Sequence, residues 1–169
     1  SYGVAWTSGT QYLRASNATA FDIASGTDFT FETWVYFGQT VGDGTIRYIF
    51  DQTATTSSGG SVIFLAQETS GAWSCNGMSS TAFPSATFKV GQWHHVALCR
   101  SSGTMRTFCN GTLINSVADA TASDTDAFTI GSRYSNNYPL HPGAVLSNTR
   151  FIVGTALYTA PFTPVSYTH

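Results

Sequence analysis

The chain has 169 residues, which is long enough for one compact domain with a sizeable core and short for two. Charged residues make up only 9% of the chain and the net charge is −2, with Lys89 as the single lysine, which excludes a phosphate-binding surface for nucleic acid. Because it has no apolar run long enough for a bilayer and no basic-then-apolar signal pattern, we expect one domain over residues 1–169 with no membrane partner.

Short strand signals recur along the chain, bounded by Gly, Asn, Ser and Pro, with almost no helical periodicity. Residues 28–37 are mostly apolar at both alternating sets of positions, which predicts a central strand covered on both faces. Asn110-Gly111 predicts a type I′ hairpin, since both residues tolerate positive φ. Other strands are predicted at residues 2–6, 11–15, 46–51, 61–67, 72–75, 93–100, 104–109, 112–117, 127–131 and 144–153, with 83–90 leading into the strand at 93. The pattern predicts an all-β sandwich or barrel.

The three cysteines, Cys75, Cys99 and Cys109, cannot all pair within one chain. Cys99 and Cys109 lie inside apolar stretches, where cysteine behaves as a small hydrophobic residue. Three reduced thiols are therefore predicted, as expected of a chain that folds in a reducing cytosol or in a particle assembled there.

Three segments resemble a known family: Phe-Thr-Phe-Glu-Thr-Trp-Val-Tyr-Phe at 29–37, Gly-Gln-Trp-His-His-Val-Ala-Leu at 91–98 and Met-Arg-Thr-Phe-Cys-Asn-Gly-Thr at 105–112. They are similar to the concanavalin A-like, laminin-G-like jelly-roll domains, which implies a two-sheet antiparallel β-sandwich. The ending at residues 146–164 is similar to the segment that closes such domains in structural proteins of marine and cyanobacterial bacteriophages. The fold itself hosts lectins, glycanases, adhesion modules and structural modules alike.

A glycan hydrolase would need two carboxylates on either side of the scissile bond. Glu32 and Glu68 have no acidic neighbour two positions away, and Asp124 and Asp126 lie in a Ser/Thr-rich loop, where they are interpreted as solvated turn residues. Glu32 is interpreted as a strand residue bonded to a neighbouring Thr, Tyr or Arg. No catalytic residue is therefore predicted, and the domain is expected not to be an enzyme.

No cofactor is predicted either. The acids that could supply oxygens to calcium do not form a recognised loop pattern; they are Asp43, Asp51, Asp119, Asp124 and Asp126. His94 and His95 are adjacent on a strand, so they point to opposite faces and cannot chelate one ion. They are interpreted as one core-edge and one exposed histidine. His141 is expected in a loop, and a Cys99–His95 nucleophile lacks an orienting third group.

Glycan binding is the functional alternative, because sugars stack on aromatic faces and bond to amides. Two predicted loops combine aromatic and amide side chains, and their residues are Trp73, Asn76, Tyr134, Asn136, Asn137 and Tyr138. Trp6, Trp34 and Trp93 are instead interpreted as packing residues of the core.

The leading hypothesis is a non-enzymatic virion protein that decorates a phage capsid by docking on the major capsid protein. It would lie on the virion surface after assembly in the host cytoplasm, with a homo-trimer as the expected oligomer. Residues 160–167 are extended and apolar, and are expected to pack on a partner or on the domain's own first strand. The alternatives are a carbohydrate-binding domain of a tail fibre or spike that recognises a cell-surface glycan, and an adhesion-type lectin domain of a cellular organism.

Overall fold

A computed structural model describes residues 3–7, 11–16, 19–39, 41–53, 61–122, 127–133 and 138–165. Within these ranges the chain forms twelve strands and one 3₁₀ turn, Thr19–Phe21. None of the elements in this part of the chain is a helix that could cross a membrane. The strands are β1 (Val4–Trp6), β2 (Leu13–Ser16), β3 (Phe29–Phe37), β4 (Arg47–Thr53), β5 (Ser61–Gln67), β6 (Trp73–Cys75), β7 (Met78–Phe83), β8 (Trp93–Ser101), β9 (Thr104–Cys109), β10 (Thr112–Ala118), β11 (Ala127–Ile130) and β12 (Ala144–Val153).

The described strands form two antiparallel sheets of six. The first sheet has the order β1-β12-β3-β8-β9-β10, and the second has the order β2-β11-β4-β5-β6-β7. Strands far apart in sequence are neighbours in both sheets, and the apolar faces of the two sheets enclose one main core. The predicted two-sheet antiparallel β-sandwich is confirmed.

Strand β3 carries the centre of the core. Its inward side chains Phe29, Phe31, Val35 and Phe37 are fully buried, because alternate residues of a strand point to the same face. Phe31 stacks on Phe50 of the second sheet with ring centroids 3.9 Å apart. The strand lies between β12 and β8, as expected of a central strand.

The opposite face of β3 is covered along only part of its length. Thr30 and Glu32 are buried, whereas Trp34 and Tyr36 are partly exposed. The prediction of a strand covered on both faces therefore holds for its first half. The second half presents two large aromatic side chains to solvent.

The cover over the first half is residues 154–165, here called the closing segment. The Thr30 hydroxyl accepts a hydrogen bond from the Leu157 amide at 2.9 Å, and the Phe162 amide donates to the Gly111 carbonyl at 3.0 Å. The rings of Tyr158 and Phe162 stack on each other at 3.5 Å. The segment therefore packs on this chain itself.

A second, smaller core lies beneath the closing segment. It contains Ala97, Cys99 and Phe108 from β8 and β9, with Tyr158 and Phe162 packed against them. The final residues were expected to pack on a partner or on the domain's own first strand. The described part of this segment packs instead on the outer faces of β8 and β9, so the location on the first strand is corrected.

The turns agree with their residue types. Asn110 and Gly111 have φ values of 50° and 78°, which confirms the type I′ hairpin between β9 and β10. Strand β7 was not predicted, since three of its residues are exposed and polar and Ser80 has a φ of 54°. Of residues 83–90, predicted to lead into β8, only Phe83 lies in a strand, at the end of β7.

All three cysteines are free and buried, as predicted. Burial raises the pKa of the Cys109 thiol to about 11 and raises that of the other two thiols as well. They therefore act as small apolar residues of the two cores.

Arg100 on β8 is a fully buried cation. It donates to Asp119 at 2.7 Å, to the Thr27 carbonyl at 2.8 Å and to the Thr121 carbonyl at 2.6 Å. Its guanidinium also lies over the Phe29 ring, 5.1 Å from the centroid. The loop before β3 and the residues that follow β10 are thus held together by one side chain.

Arg100→Met should destabilise the domain by about 3–5 kcal/mol, because it leaves the Asp119 carboxylate buried without its partner. The free energy of unfolding in urea measures this. Arg106→Met is the matched control, since Arg106 is partly exposed on the adjacent strand and should cost less than about 1 kcal/mol. Equal losses in the two variants would contradict the assignment.

His141 is a buried histidine at the opposite end of the sandwich. Its Nε2 lies 2.8 Å from Gln67 Oε1, and because that oxygen only accepts, the ring donates from Nε2. Its Nδ1 lies 4.0 Å from Asp43, which is paired with Arg47 at 2.7 Å. Burial lowers the pKa of His141 to about 4, with Arg47 opposing protonation and Asp43 favouring it.

The stability of the domain should therefore fall as pH decreases from 6.5 to 4. In that range the unfolded chain binds a proton at this imidazole and the folded chain does not, which costs at most about 1.4 kcal/mol per pH unit. Above pH 6.5 the contribution is fully present. Urea unfolding at several pH values should show a flatter profile for His141→Gln, and an unchanged slope would overturn this explanation.

Candidate functional site on the outer face of the first sheet

The uncovered part of the first sheet presents a row of aromatic side chains. The row contains Trp34 and Tyr36 from β3 and His95 and Trp93 from β8. Trp34 is paired in register with His95, and Tyr36 with Trp93. The ring centroids are 5.3 Å apart for Trp34 and His95 and 5.6 Å apart for Tyr36 and Trp93. Both tryptophans and the tyrosine are partly exposed. Large aromatic groups on a solvent-facing sheet surface are suited to stacking against a ligand.

A cleft of about 290 Å³ lies beside this row, and we call it the Trp34 cleft. Glu32, Trp34 and His95 line it from the sheet. Strand β12 contributes residues 148–150 on one side, and the closing segment contributes Tyr158 and Val165 on another. Strands β3 and β8 and the chain from β12 through the closing segment therefore converge on one small concave site.

The charges of the cleft are concentrated in one network around Glu32. Arg150 donates from Nε to Glu32 Oε1 at 2.8 Å and contacts the same oxygen through Nη2. The other carboxylate oxygen lies 3.4 Å from His95 Nε2. The Glu32 side chain is only 9% exposed, whereas that of Arg150 is 49% exposed. The network thus presents the guanidinium to solvent and keeps the carboxylate beneath it.

The pKa shifts follow from this arrangement. Burial of Glu32 opposes its charge, but hydrogen bonds from His95 and Tyr158 and the charge of Arg150 outweigh it and lower the pKa of Glu32. Burial and the bond to Glu32 raise the pKa of Tyr158 to about 12. At neutral pH, Glu32 is therefore an ionised acceptor and Tyr158 a protonated donor.

A β-bulge shapes the wall formed by β12. Ser147 pairs with Trp34 and Arg150 pairs with Glu32, so that β12 has one extra residue between these positions. Asn148 in the bulge has a φ of 52° and is exposed at the cleft. The buried Thr33 hydroxyl lies 2.8 Å from Thr149 Oγ1, which ties the bulge to the central strand. Bulges commonly re-aim side chains at binding sites.

Of the glycan-binding residues predicted from the sequence, Trp73, Asn76 and Tyr138 lie among the described residues. Trp73 is fully buried in the core, so it cannot stack on a sugar, and its prediction is corrected. Asn76 is 7% exposed, and its Oδ1 accepts from the Phe64 amide at 3.2 Å. Asn76 also lines a wider depression of about 610 Å³ on the second sheet. That depression has no ion pair among its lining residues.

The other predicted loop is described only at its end. Tyr138 is 41% exposed and stacks on Tyr48 with centroids 6.2 Å apart. Tyr134, Asn136 and Asn137 lie outside the described residues. The glycan-binding role of this loop remains a prediction.

The two adjacent histidines point to opposite faces, as predicted, but neither is exposed. His94 packs edge-on against Phe88 inside the sandwich, and its Nε2 accepts from the Lys89 amide at 3.0 Å. His95 faces outwards and is buried by Tyr158 and Phe162 of the closing segment. The prediction that one of the two histidines is exposed is therefore wrong, because the closing segment covers the outer face of the sheet at His95.

The acidic residues are mostly committed to other contacts. Asp43 pairs with Arg47, and Asp119 pairs with Arg100. Asp51 is 1% exposed. No group of three potential metal ligands occurs in the described part of the chain, and Asp124 and Asp126 lie outside it. Glu32 bonds to an arginine and a tyrosine, in agreement with its interpretation as a paired strand residue.

The aromatic row was missed by sequence reasoning. Trp34 and Trp93 were assigned to core packing, and of the three tryptophans so assigned, Trp6 is the one that is buried. A signal was present in β3, since Glu32, Trp34 and Tyr36 share one face and a carboxylate is rarely found within an apolar core. The same face could therefore have been identified as the outer one.

Comparison with known proteins identifies the family. A family model described as the concanavalin A-like lectin/glucanases superfamily matches residues 7–149. No significant match was found among curated proteins.

Among solved structures, the Trypanosoma rangeli sialidase in complex with sialic acid matches with a TM-score of 0.56 and 16% identity, over 79% of this chain and 22% of the sialidase. The botulinum neurotoxin serotype D binding domain matches with a TM-score of 0.60 and 13% identity, over 90% of this chain and 39% of that protein. An alginate lyase of polysaccharide lyase family 7 matches with a TM-score of 0.50 and 14% identity, over 76% of this chain and 60% of the lyase.

These likenesses show a shared fold, and this chain spans only about a fifth of the sialidase. The family match, in contrast, covers most of this chain and agrees with the two six-stranded sheets. The chain belongs to the concanavalin A-like lectin/glucanases superfamily.

Proposed function

We propose that this domain binds carbohydrate without cleaving it, and that the Trp34 cleft is the binding site. The observation that carries the proposal is a partly exposed indole in a walled cleft that also contains ionised hydrogen-bonding groups. Sugars combine apolar ring faces with dense hydroxyl groups, so that an aromatic plane next to charged donors and acceptors matches both features.

Each group of the cleft has a defined part in this proposal. Trp34 supplies the surface on which a sugar ring stacks. The exposed side of Arg150 donates to hydroxyl oxygens, and Asn148 supplies an amide at the rim. Glu32 orients the guanidinium through the bond to Nε, so that Arg150 is held before the ligand arrives.

The charge network also supports binding rather than hydrolysis. A glycosidase pair needs a second carboxylate about 5 Å or roughly 6.5–9.5 Å from the first, and Glu32 is the one carboxylate that lines this cleft. Its lowered pKa removes it as a proton donor at neutral pH. The raised pKa of Tyr158 likewise opposes a role as a base.

The named similarities support carbohydrate as the ligand class. The sialidase structure contains sialic acid, and the lyase is named for its action on alginate. Because these likenesses extend only to the fold, the proposal depends on the cleft and not on the activity of either enzyme.

Trp34→Ala should weaken binding about tenfold or more towards any oligosaccharide identified on a glycan array, because it removes the stacking surface. Titration calorimetry gives the affinity and thermal unfolding checks the fold. Tyr138→Ala is the matched control, since Tyr138 is an exposed aromatic residue outside the cleft, and it should bind as the unmodified domain does.

The reverse result would assign the binding site to a different part of the domain. If Tyr138→Ala loses the ligand and Trp34→Ala keeps it, sugar binds at the loop predicted from the sequence. If the array gives no ligand at all, carbohydrate binding itself is rejected.

A second proposal is a surface module on a phage capsid, docked on the major capsid protein. It is supported by the resemblance of residues 146–164 and by the apolar side chain of Leu157 on the outside of the closing segment, which is 39% exposed. In that case the domain should bind empty capsid shells without sugar, and free sugar should not compete. Cosedimentation with shells tests this, and competition by an array ligand would exclude it.

A further inference from the structure

We propose that the Trp34 cleft accepts the terminal residue of a neutral glycan, and not the interior of a polysaccharide or an acidic sugar. This inference rests on the proposed carbohydrate-binding function and adds the class of ligand. It follows from the size of the cleft, from its walls and from the balance of charge inside it.

The size of the cleft limits the ligand to about one sugar ring. Its volume of about 290 Å³ is at the lower end of ligand pockets, which hold drug-sized molecules at about 300–1,000 Å³. An enzyme or lectin that binds the interior of a polysaccharide needs a groove several rings long. The volume of the Trp34 cleft is too small for that mode.

The walls of the cleft are held firmly to the sheet. On one side the bulge is tied down by the contact between Thr33 and Thr149 at 2.8 Å. On the other side the closing segment is bonded to Thr30 and to the Gly111 carbonyl. The cleft therefore keeps its small volume when a sugar enters, which suits a single ring at the end of a chain.

Position 111 shows how closely the closing segment is docked. A Cβ added to Gly111 would lie 1.8 Å from the Phe162 carbonyl oxygen, and φ there is 78°. The segment therefore depends on a residue without a side chain at this point. This contact fixes Phe162, whose ring stacks on Tyr158, and thereby holds the Tyr158 side of the cleft in place.

The charges of the cleft favour a neutral sugar. Apart from the His95 imidazole, its lining has one carboxylate and one guanidinium, which are paired with each other. A sugar carboxylate would meet Arg150 already neutralised by Glu32, and would be repelled by that same Glu32. The pairing of Glu32 with Arg150 does not weaken the binding of sugar hydroxyl groups, because a hydroxyl group accepts from the guanidinium and donates to oxygen acceptors.

The test uses chemically matched oligosaccharides: mannose oligomers against mannuronate oligomers, and galactose oligomers against galacturonate oligomers, each from one to six residues. Their affinities are measured by titration calorimetry with the full chain, together with a general array of neutral glycans. We expect a neutral series to bind, with affinity that changes less than about threefold between two and six residues. We also expect less than about a twofold change between 50 mM and 500 mM salt, because the ligand has no charge to be screened.

Two results would overturn the inference and leave the proposed function intact. One is a stepwise gain of more than about tenfold as the chain grows to six residues, which indicates interior binding. The other is a preference for the uronate series with a steep loss of affinity in high salt. Absence of binding by every glycan would instead reject the proposed function.

A pair of variants tests the wall directly. Val165→Gly removes the side chain that borders the cleft, so that longer neutral oligomers should gain affinity relative to the disaccharide. Leu157→Gly is the control, because Leu157 is exposed on the same segment but does not line the cleft, and its length dependence should match that of the unmodified domain. An unchanged length dependence in Val165→Gly, with normal thermal unfolding, would show that the closing segment does not limit the ligand.

Discussion

The two faces of strand β3 lie in different environments, the core between the sheets and the outer surface of the first sheet. The rest of the molecule is arranged around that constraint. The inward residues of β3 are three phenylalanines, Thr33 and Val35, and all are fully buried between the sheets. Its outward residues change along the strand from Thr30 and Glu32, which are buried, to Trp34 and Tyr36, which are partly exposed. Because side chains alternate strictly in a strand, a shift of one residue in register would place Glu32 in the core. The register of β3 therefore fixes both the core and the site.

The closing segment turns a sheet face into a cleft. It returns across β3, β8 and β9 after the last strand and buries His95 and Phe108 beneath Tyr158 and Phe162. Without this cover, Glu32 would be a solvated carboxylate on an open sheet. With it, Glu32 is held ionised by donors from β8, β12 and the closing segment, and the cation of Arg150 is presented at the rim. Burial and pairing together thus create a site that no single element contains.

Sequence patterns predicted the structure correctly where neighbouring residues decide the conformation. The hairpin at Asn110-Gly111 and the burial of Trp6 agree with their sequence patterns. It failed where burial depends on distant residues. Trp73 is a core residue because β6 pairs with β5 and faces Phe37 and Phe88, and nothing near it in sequence indicates this. The residues that flank an aromatic side chain in the sequence do not distinguish one that lies at a surface turn from one that lies in the core.

The sequence by itself determined all the strands except β7, the hairpin at Asn110-Gly111, the β-sandwich class and the family resemblance, because these follow from alternation, turn residues and motifs within short stretches. Tertiary structure alone decided which tryptophans are exposed, where the final residues pack, and which partners Glu32 has. The site combines Trp34, His95 and Arg150, on strands whose adjacency is set by sheet order rather than by chain order, with Tyr158 of the closing segment. These residues are up to 124 positions apart in the chain. Only the folded chain brings these groups into one cleft.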